Sequence, residues 1–311
     1  MGARSSRNTT QNNRSDGHLL EYFRNTFVRG GGGINAPTAF SATGGTITPA
    51  AGKTVHTFLA SGTFTVTNAP PTFNVEYLVV AGGGGGGPAS GDSVTGGGAG
   101  GAGGFRTNVA GHPLAGSAFP VSSGPYSVTV GGGGAGKTFD PTPSFGARGI
   151  DSIFSTITST GGGGGAAADV PGPSWPTGPG GSGGGGGGSS SVGVFGTGNT
   201  PPTSPSQGNN GGTGIGASPY GGGGGGGATG TGTPGPGGGA GGTGSAILTA
   251  GSPAPVTYST GGQGWTGPGN NPITSVNAAN NTGNGGPGAQ NGANGGGNGG
   301  SGIVIIAYPT P

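Results

Sequence analysis

The chain has 311 residues, of which 90 are glycine and 27 are proline, whereas charged residues make up only 5% and the formal net charge is +2. Ordinary globular domains contain about 7% glycine and about 25% charged residues, so an apolar core of the usual size is not expected. The absence of cysteine excludes a disulfide scaffold, a thiol nucleophile and a thiolate metal site.

Charge and glycine divide the chain into three predicted segments. Residues 1–33 form a basic leader with five arginines and two acids, which we expect to anchor the chain. Residues 34–81 are predicted to form a small β region, and residues 82–311 a glycine-rich domain closed by a strand at 303–308. Because the sequence has no apolar stretch of about 18 residues, membrane insertion is not expected. The N-terminus also lacks the apolar core of a signal peptide.

A short amphipathic helix is predicted in the leader. Asp16 is a candidate N-cap, and apolar residues follow it at helical spacing. A helix of this length is marginal alone in water, so it would need a partner surface, and a frayed tail is the alternative. The candidate anchor residues are Arg14, Leu19, Leu20, Phe23 and Phe27.

Short β-strands are predicted where β-branched and aromatic residues interrupt the glycine. Thr54–Phe58 and Thr63–Thr67 have the spacing of a hairpin. Three further strands run directly into glycine, and another closes the chain. These four are Phe73–Val80, Tyr126–Val130, Ser152–Thr160 and Ile303–Tyr308.

The glycine runs admit two interpretations. Collagen is excluded because the glycines come in blocks, not at every third position. A flexible, disordered linker is one interpretation. The other is a set of polyglycine-II helices that hydrogen-bond to each other and replace the apolar core. The predicted fold is mainly β plus irregular structure: a small β region, then packed polyglycine-II helices in a glycine-rich sandwich, with the short N-terminal helix in front.

The sequence offers little for catalysis. His18, His56 and His112 have no acidic partner at a local spacing, and after Ser152 the only acid is Asp169. The glycine runs contain GxGxxG by chance, without the helix and downstream acid of a dinucleotide site. We therefore expect no enzyme activity, no cofactor and no metal. The leader arginines could neutralise phosphates, but a docking tail is favoured, so no nucleic-acid partner is expected.

Five segments together resemble a known family. They are VEYLVVAGGGGGG (75–87), GGAGGFR (100–106), YSVTVGGGGAG (126–136), DSIFSTITSTGGGGG (151–165) and GGSGIVIIAY (299–308). Over about residues 40–308 the chain resembles the glycine-rich domain at the distal ends of bacteriophage tail-fibre proteins. It is also similar to the adhesins of T-even-like long tail fibres, in which packed polyglycine helices present receptor-binding loops.

The resemblance implies a bacteriophage structural protein on the virion surface: a short fibre, tip or decoration protein that attaches to the host. Its partners would be other virion proteins through residues 1–33, and a host cell-surface glycan or outer-membrane protein through the loops. A homotrimer, common among fibres, and closure within one chain both stay open. Two alternatives are a capsid-anchored head fibre or decoration protein without a specific receptor, and an ice-binding polyglycine protein.

Isolated aromatic residues are the candidate receptor contacts, because rigid amphipathic rings are common anchors at binding surfaces. The alternative is that each ring packs against the glycine-rich part as a small local core. The Asn-rich stretch Asn270–Asn298 could likewise bind polar groups or form turns. The aromatic candidates are Trp175, Phe195, Tyr220 and Trp265.

Overall fold

Strands form where β-branched and aromatic residues interrupt the glycine-rich sequence. The structure is a computed structural model that describes residues 39–89, 95–138, 144–168, 178–188, 192–218, 220–248, 254–265, 276–289 and 295–310. Its strands are β1 (Ser41–Thr43), β2 (Thr46–Ala50), β3 (Lys53–Phe58), β4 (Gly62–Asn68), β5 (Phe73–Val80), β6 (Phe105–Thr107), β7 (Phe119–Val121), β8 (Gly124–Thr129), β9 (Ser152–Phe154), β10 (Ile157–Ser159), β11 (Ser245–Ile247), β12 (Val256–Tyr258) and β13 (Ile303–Pro309).

These strands form three antiparallel sheets. The five-stranded sheet has the order β1-β4-β8-β9-β10, and the six-stranded sheet the order β2-β3-β13-β5-β6, with β7 also paired to β5. The third sheet consists of β11 and β12. The last strand, β13, therefore lies between β3 and β5, so the end of the sequence is central in the six-stranded sheet.

The six-stranded sheet lies between the five-stranded sheet and the β11–β12 sheet. Its central strand β13 packs against both of them. Val304, Ile306 and Tyr308 face the five-stranded sheet and belong to one apolar cluster. Ile303 and Ile305 belong to a second cluster, which includes residues of β11 and β12. Because side chains alternate between the two faces of a strand, a strand buried on both faces must be apolar throughout.

The predicted strands are confirmed, but one predicted pairing is wrong. β3 and β4 do not form a hairpin: β3 pairs with β2 and β13, whereas β4 pairs with β1 and β8. The chain changes sheet between them because Phe58 and Phe64 contribute from opposite layers to the same cluster. The single strand predicted at Ser152–Thr160 is a β9–β10 hairpin that turns at Ser155, whose φ is 51°.

The predicted polyglycine-II helices are the main correction. Among the residues that the structure describes there are strands in three antiparallel sheets and no helix, so the fold is all-β with long irregular segments. The physical reason is that the runs have no regular element of their own, since their backbone hydrogen bonds go to other segments of the chain. The predicted N-terminal helix falls within residues 1–38, outside the described residues.

The glycine segments are nevertheless ordered by hydrogen bonds with a period of three. In the run that begins at Gly82, the first and fourth amides donate to segment 147–150, the second and fifth to segment 297–300, and the third and sixth to segment 98–101. The donor–acceptor distances are 2.8 to 3.0 Å. Each segment thus satisfies its peptide groups through several neighbours, as buried backbone requires.

Close approach between segments explains why glycine is required. A Cβ atom at Gly84 would overlap the carbonyl oxygen of Gly163. Where the backbone leaves room, alanine replaces glycine: Ala99 and Ala102 are fully buried and three residues apart. Residues Phe40–Pro311 form one compact unit, in which these segments and the sheets belong together.

Candidate functional site

One end of the glycine-rich part gathers the ends of its segments, and we call it the loop end. There the carbonyl of Pro88 accepts a hydrogen bond from Ala168 at 3.0 Å, and the carbonyl of Gly96 accepts one from Gly188 at 2.8 Å. Thr95 forms a bridge with Tyr220 at the same end, and Gly188 forms one with Val192. The loop end is defined by Ala89, Thr95, Thr138, Ala168, Gly188, Val192, Tyr220, Trp265, Ala289 and Gly295.

The opposite end of the same segments adjoins the sheets. Ala81, directly after β5, donates to the carbonyl of Gly104, directly before β6, at 3.1 Å. Gly302, which precedes β13, donates at 2.8 Å to Gly131, which lies shortly after β8. Segment 82–87 therefore leaves a strand, whereas segments 96–104 and 295–302 lead into one. The sheets therefore fix the end of the glycine-rich part that lies opposite the loop end.

Two predicted aromatic contacts, Tyr220 and Trp265, lie at the loop end but differ in exposure. Tyr220 is half-buried and forms a parallel bridge with Thr95. Trp265 is only 2% exposed, and a Cβ at Gly96 would lie 2.5 Å from its Cε3. Its indole Nε1 has no hydrogen-bond partner among the described residues. In this structure Trp265 packs against backbone, whereas Tyr220 keeps part of its surface accessible.

The third aromatic candidate, Phe195, is half-buried and has exposed apolar neighbours. Val192, which forms a bridge with Gly188, is 62% exposed, and Val194 is 37% exposed. Exposed large aliphatic residues beside a half-buried ring make a small apolar surface near the loop end. The sequence analysis missed these valines because they stand alone among glycine and serine, without a periodic pattern.

The other predicted site residues cannot be placed. Trp175 lies within residues 169–177, which are outside the described part of the chain. The five anchor candidates Arg14, Leu19, Leu20, Phe23 and Phe27 lie within residues 1–38, also outside it. Their roles as receptor contact and anchor stay predictions.

A polar groove of about 420 Å³ lies on the flank of the glycine-rich part. Its floor is segment 298–299, which is bonded to both walls. On one side Gly299 donates to the carbonyl of Gly134 at 2.9 Å, and on the other Ala278 donates to the carbonyl of Asn298 at 2.9 Å. We call it the asparagine groove; its lining is Gly133, Ala135, Asn277, Ala278, Asn280, Asn298 and Gly299.

Backbone amides orient two of the groove's three carboxamides. The amide of Gly136 donates to Oδ1 of Asn298 at 2.8 Å, and the amide of Asn298 donates to Oδ1 of Asn277 at 2.9 Å. In both side chains the oxygen is thus occupied, and the Nδ2 donors have no partner among the described residues. Asn280 makes no hydrogen bond within the described residues, and its side chain is exposed.

His112 and Ser245, 133 positions apart in sequence, lie side by side, with His112 Nε2 3.0 Å from Ser245 Oγ. Leu114 donates its amide hydrogen to His112 Nδ1 at 3.1 Å, so the neutral ring carries its proton on Nε2. Burial lowers the pKa of His112, and a backbone hydrogen bond to Ala246 partly offsets this. Because activation of a serine needs an unprotonated nitrogen facing its hydroxyl, this geometry does not activate Ser245.

His56 is fully buried between the two large sheets. Its Nδ1 lies 2.7 Å from the carbonyl of Gly44 and its Nε2 lies 3.1 Å from the hydroxyl of Tyr308. Since a carbonyl can only accept, Nδ1 carries the proton and Nε2 accepts from the tyrosine. Burial lowers the pKa of His56, so the ring is held neutral as part of the core.

The described part of the chain offers neither a metal site nor a membrane-spanning helix. Its histidine, aspartate and glutamate side chains form no group of three that could hold a metal ion. It also contains no helix long and apolar enough to cross a membrane.

The architecture defines a class of protein: an all-β unit in which antiparallel sheets adjoin glycine-rich segments that hydrogen-bond to each other. The family model of the glycine-rich domain matches residues 57–309. The chain belongs to this glycine-rich domain family. No curated protein matches the chain.

Proposed function

We propose that this chain is a structural protein of a bacteriophage virion, a short fibre or tip protein that attaches to the host surface through its loop end. The leader, residues 1–33, binds other virion proteins, and the loop end binds a host cell-surface glycan or an outer-membrane protein. The chain would therefore lie on the virion exterior.

The observation that carries the proposal is the segregation of the two ends of the glycine-rich segments. The strand-proximal ends are fixed by the three sheets, so connections at the other end can differ in sequence without disturbing the cores. Binding residues commonly lie on loops that a rigid scaffold positions. The half-buried rings of Phe195 and Tyr220 and the exposed Val192 supply the apolar contact that such a surface needs.

The phage context of the proposal comes from the five segments that resemble distal tail-fibre domains. The charge distribution supports the division of roles. Five of the nine basic residues lie in the first 30 residues, so the leader carries a net positive charge that the rest of the chain lacks. A basic, partly apolar segment is suited to a docking contact with another protein.

Immunogold labelling of phage particles that carry this chain tests the proposal. We expect label at the tail tip, and purified full-length chain added to host cells should reduce phage adsorption by competition. Label confined to the capsid would favour the head-fibre alternative and overturn attachment through the tail. Particles without label would contradict a virion role altogether.

A further inference from the structure

We propose that the asparagine groove is a binding site for a neutral saccharide. The inference concerns the flank of the glycine-rich part and not the loop end, and it does not depend on the virion role proposed above. It rests on the hydrogen-bonding groups that line the groove, on the absence of ionisable groups among them, and on the volume available.

The groove presents fixed donors. Asn277 and Asn298 each accept a backbone hydrogen bond through Oδ1, so each carboxamide is held in one orientation, and its Nδ2 donors are unpaired within the part of the chain that the structure describes. A group held in this way loses little conformational freedom when a ligand binds. Hydroxyl oxygens of a sugar are suitable acceptors for these N–H groups.

The groove also presents hydrogen-bond donors and hydrogen-bond acceptors that have no partner among the described residues. Gly133 is half-buried, and neither its N–H nor its C=O has a hydrogen-bond partner among the described residues. Asn280 adds a free carboxamide, which can donate and accept. A sugar hydroxyl donates and accepts at the same atom, so a lining that alternates donors and acceptors matches it better than it matches an anion or a cation.

The lining explains why the ligand should be neutral. Its residues are asparagine, alanine and glycine, none of which ionises. The lining offers no opposite charge to pair with an anion or a cation, so transfer of a charged ligand from water would cost more free energy than transfer of a neutral one. The carboxamide and peptide groups offer hydrogen bonds without charge.

The size of the groove is also suitable. Its volume of about 420 Å³ falls within the range of about 300–1,000 Å³ found for small-molecule sites. Most such sites are lined mainly by apolar and aromatic groups, whereas this groove has no aromatic residue in its lining. A mainly polar lining favours a hydroxyl-rich ligand over an apolar one.

The test uses the full chain with maltotetraose, cellotetraose and lacto-N-neotetraose as neutral probes, and 3′-sialyllactose and inorganic phosphate as charged ones. Saturation-transfer NMR identifies a bound probe, and isothermal titration measures its affinity. We expect at least one neutral probe to bind with the same affinity at pH 5.5 and pH 8, because no lining residue ionises. Binding of the charged probes alone, or of none, would overturn the proposal.

Two variants assign the binding to the groove. Asn280→Ala removes an exposed carboxamide that makes no hydrogen bond in the described part of the chain, so it should lower affinity about threefold to tenfold without loss of folding. Ala135→Leu fills the groove and should abolish binding. The matched controls are Asn74→Ala, at an exposed position of β5, and Ala147→Leu, at an exposed position that is bonded to Ala135 but does not line the groove. Full affinity in both groove variants would show that the saccharide binds elsewhere.

Discussion

The hydroxyl of Tyr308 donates to Nε2 of His56 at 3.1 Å, a hydrogen bond between residues 252 positions apart. It lies beside the pairing of β13 with β3, where Ile306 is directly opposite His56. β13 is thereby joined to β3 by a buried polar contact as well as by the β ladder. Closing the six-stranded sheet consequently requires both ends of the compact unit.

Tyr308→Phe tests the contribution of this contact. The substitution leaves Nε2 of a fully buried histidine without a donor, which should lower the free energy of unfolding by about 1–3 kcal/mol. Denaturant unfolding of the full chain measures this change. Tyr220→Phe is the matched control, because the Tyr220 hydroxyl makes no hydrogen bond in the described part of the chain. Equal stability of the two variants would contradict the assigned role.

Stability should fall as the pH falls below about 6.5. Burial lowers the pKa of both His56 and His112 in the folded chain, so the unfolded chain takes up protons first. Above pH about 6.5 both states are neutral at these residues and the stability is complete. Below it the fully buried His56 costs up to about 1.4 kcal/mol per pH unit until its folded pKa is reached, whereas the half-buried His112 costs less because solvent screens its charge.

Thermal unfolding of the full chain between pH 5 and pH 8 measures this dependence. The double variant His56→Gln/His112→Gln should show a clearly smaller change over the same range, whatever its absolute stability. An undiminished dependence in the double variant would assign the effect to other groups.

Gly84→Ala should destabilise the glycine-rich part, whereas Gly132→Ala should not. A Cβ at Gly84 would overlap the carbonyl oxygen of Gly163, and backbone cannot move aside cheaply, so we expect a loss of about 1–3 kcal/mol. A Cβ at Gly132 would find only Cδ1 of Ile150, at 3.9 Å. Both positions belong to glycine runs and both variants replace glycine by alanine. A difference in stability between them, measured by thermal unfolding, therefore reports the close packing at Gly84. Similar losses at both sites would show that close approach is not the reason for glycine.

Substitution of the aromatic residues should distinguish those that stabilise the fold from those that contact the receptor. Trp265→Ala should lower the free energy of unfolding by about 3–5 kcal/mol, because it removes a buried indole. Under the proposed virion role, Tyr220→Ala and Trp175→Ala should reduce adsorption to host cells while particles still assemble. Adsorption assays with assembled particles, alongside unfolding of the purified chains, measure both effects. Unchanged adsorption in the Tyr220 and Trp175 variants would remove them as receptor contacts.

Removal of residues 1–30 tests the leader. If this segment anchors the chain, particles assembled with the truncated protein should lack it, whereas the purified truncated chain should unfold at the same temperature as the full chain. Quantitative immunoblots of purified particles provide the measurement. Particles that retain the truncated protein would place the anchor elsewhere in the chain.

The strands could be predicted because their residues carry a local signal. The fully apolar Ile303–Tyr308 indicated a buried strand, and β13 is buried on both faces. The pairing of β3 and β4 could not be predicted, since proximity in sequence favoured a hairpin while the apolar clusters required two layers. The glycine runs were recognised as ordered packing elements in one of the two interpretations, but the predicted helices were wrong and the fold is all-β.

The candidate sites were predictable only in part. For the Asn-rich stretch the sequence left two interpretations open, binding of polar groups or turns. The groove also needs Gly133 and Ala135, which come from a distant glycine run and carry no side-chain signal. Burial of Trp265 depends on its contact with Gly96, 169 positions earlier, for which the sequence contains no local indication. Contacts between distant segments depend on which residue of one segment lies opposite which residue of the next. A run of identical glycines contains no signal that sets this alignment.

The period of three in the glycine hydrogen bonds limits how this family of sequences can change in length. An insertion of one residue within Gly82–Gly87 would turn every following amide towards a different neighbouring segment, whereas an insertion of three would restore each amide to an equivalent direction. Connections at the loop end carry no such restriction. Length variation among related genes should therefore be free in the connections and come in multiples of three within the runs.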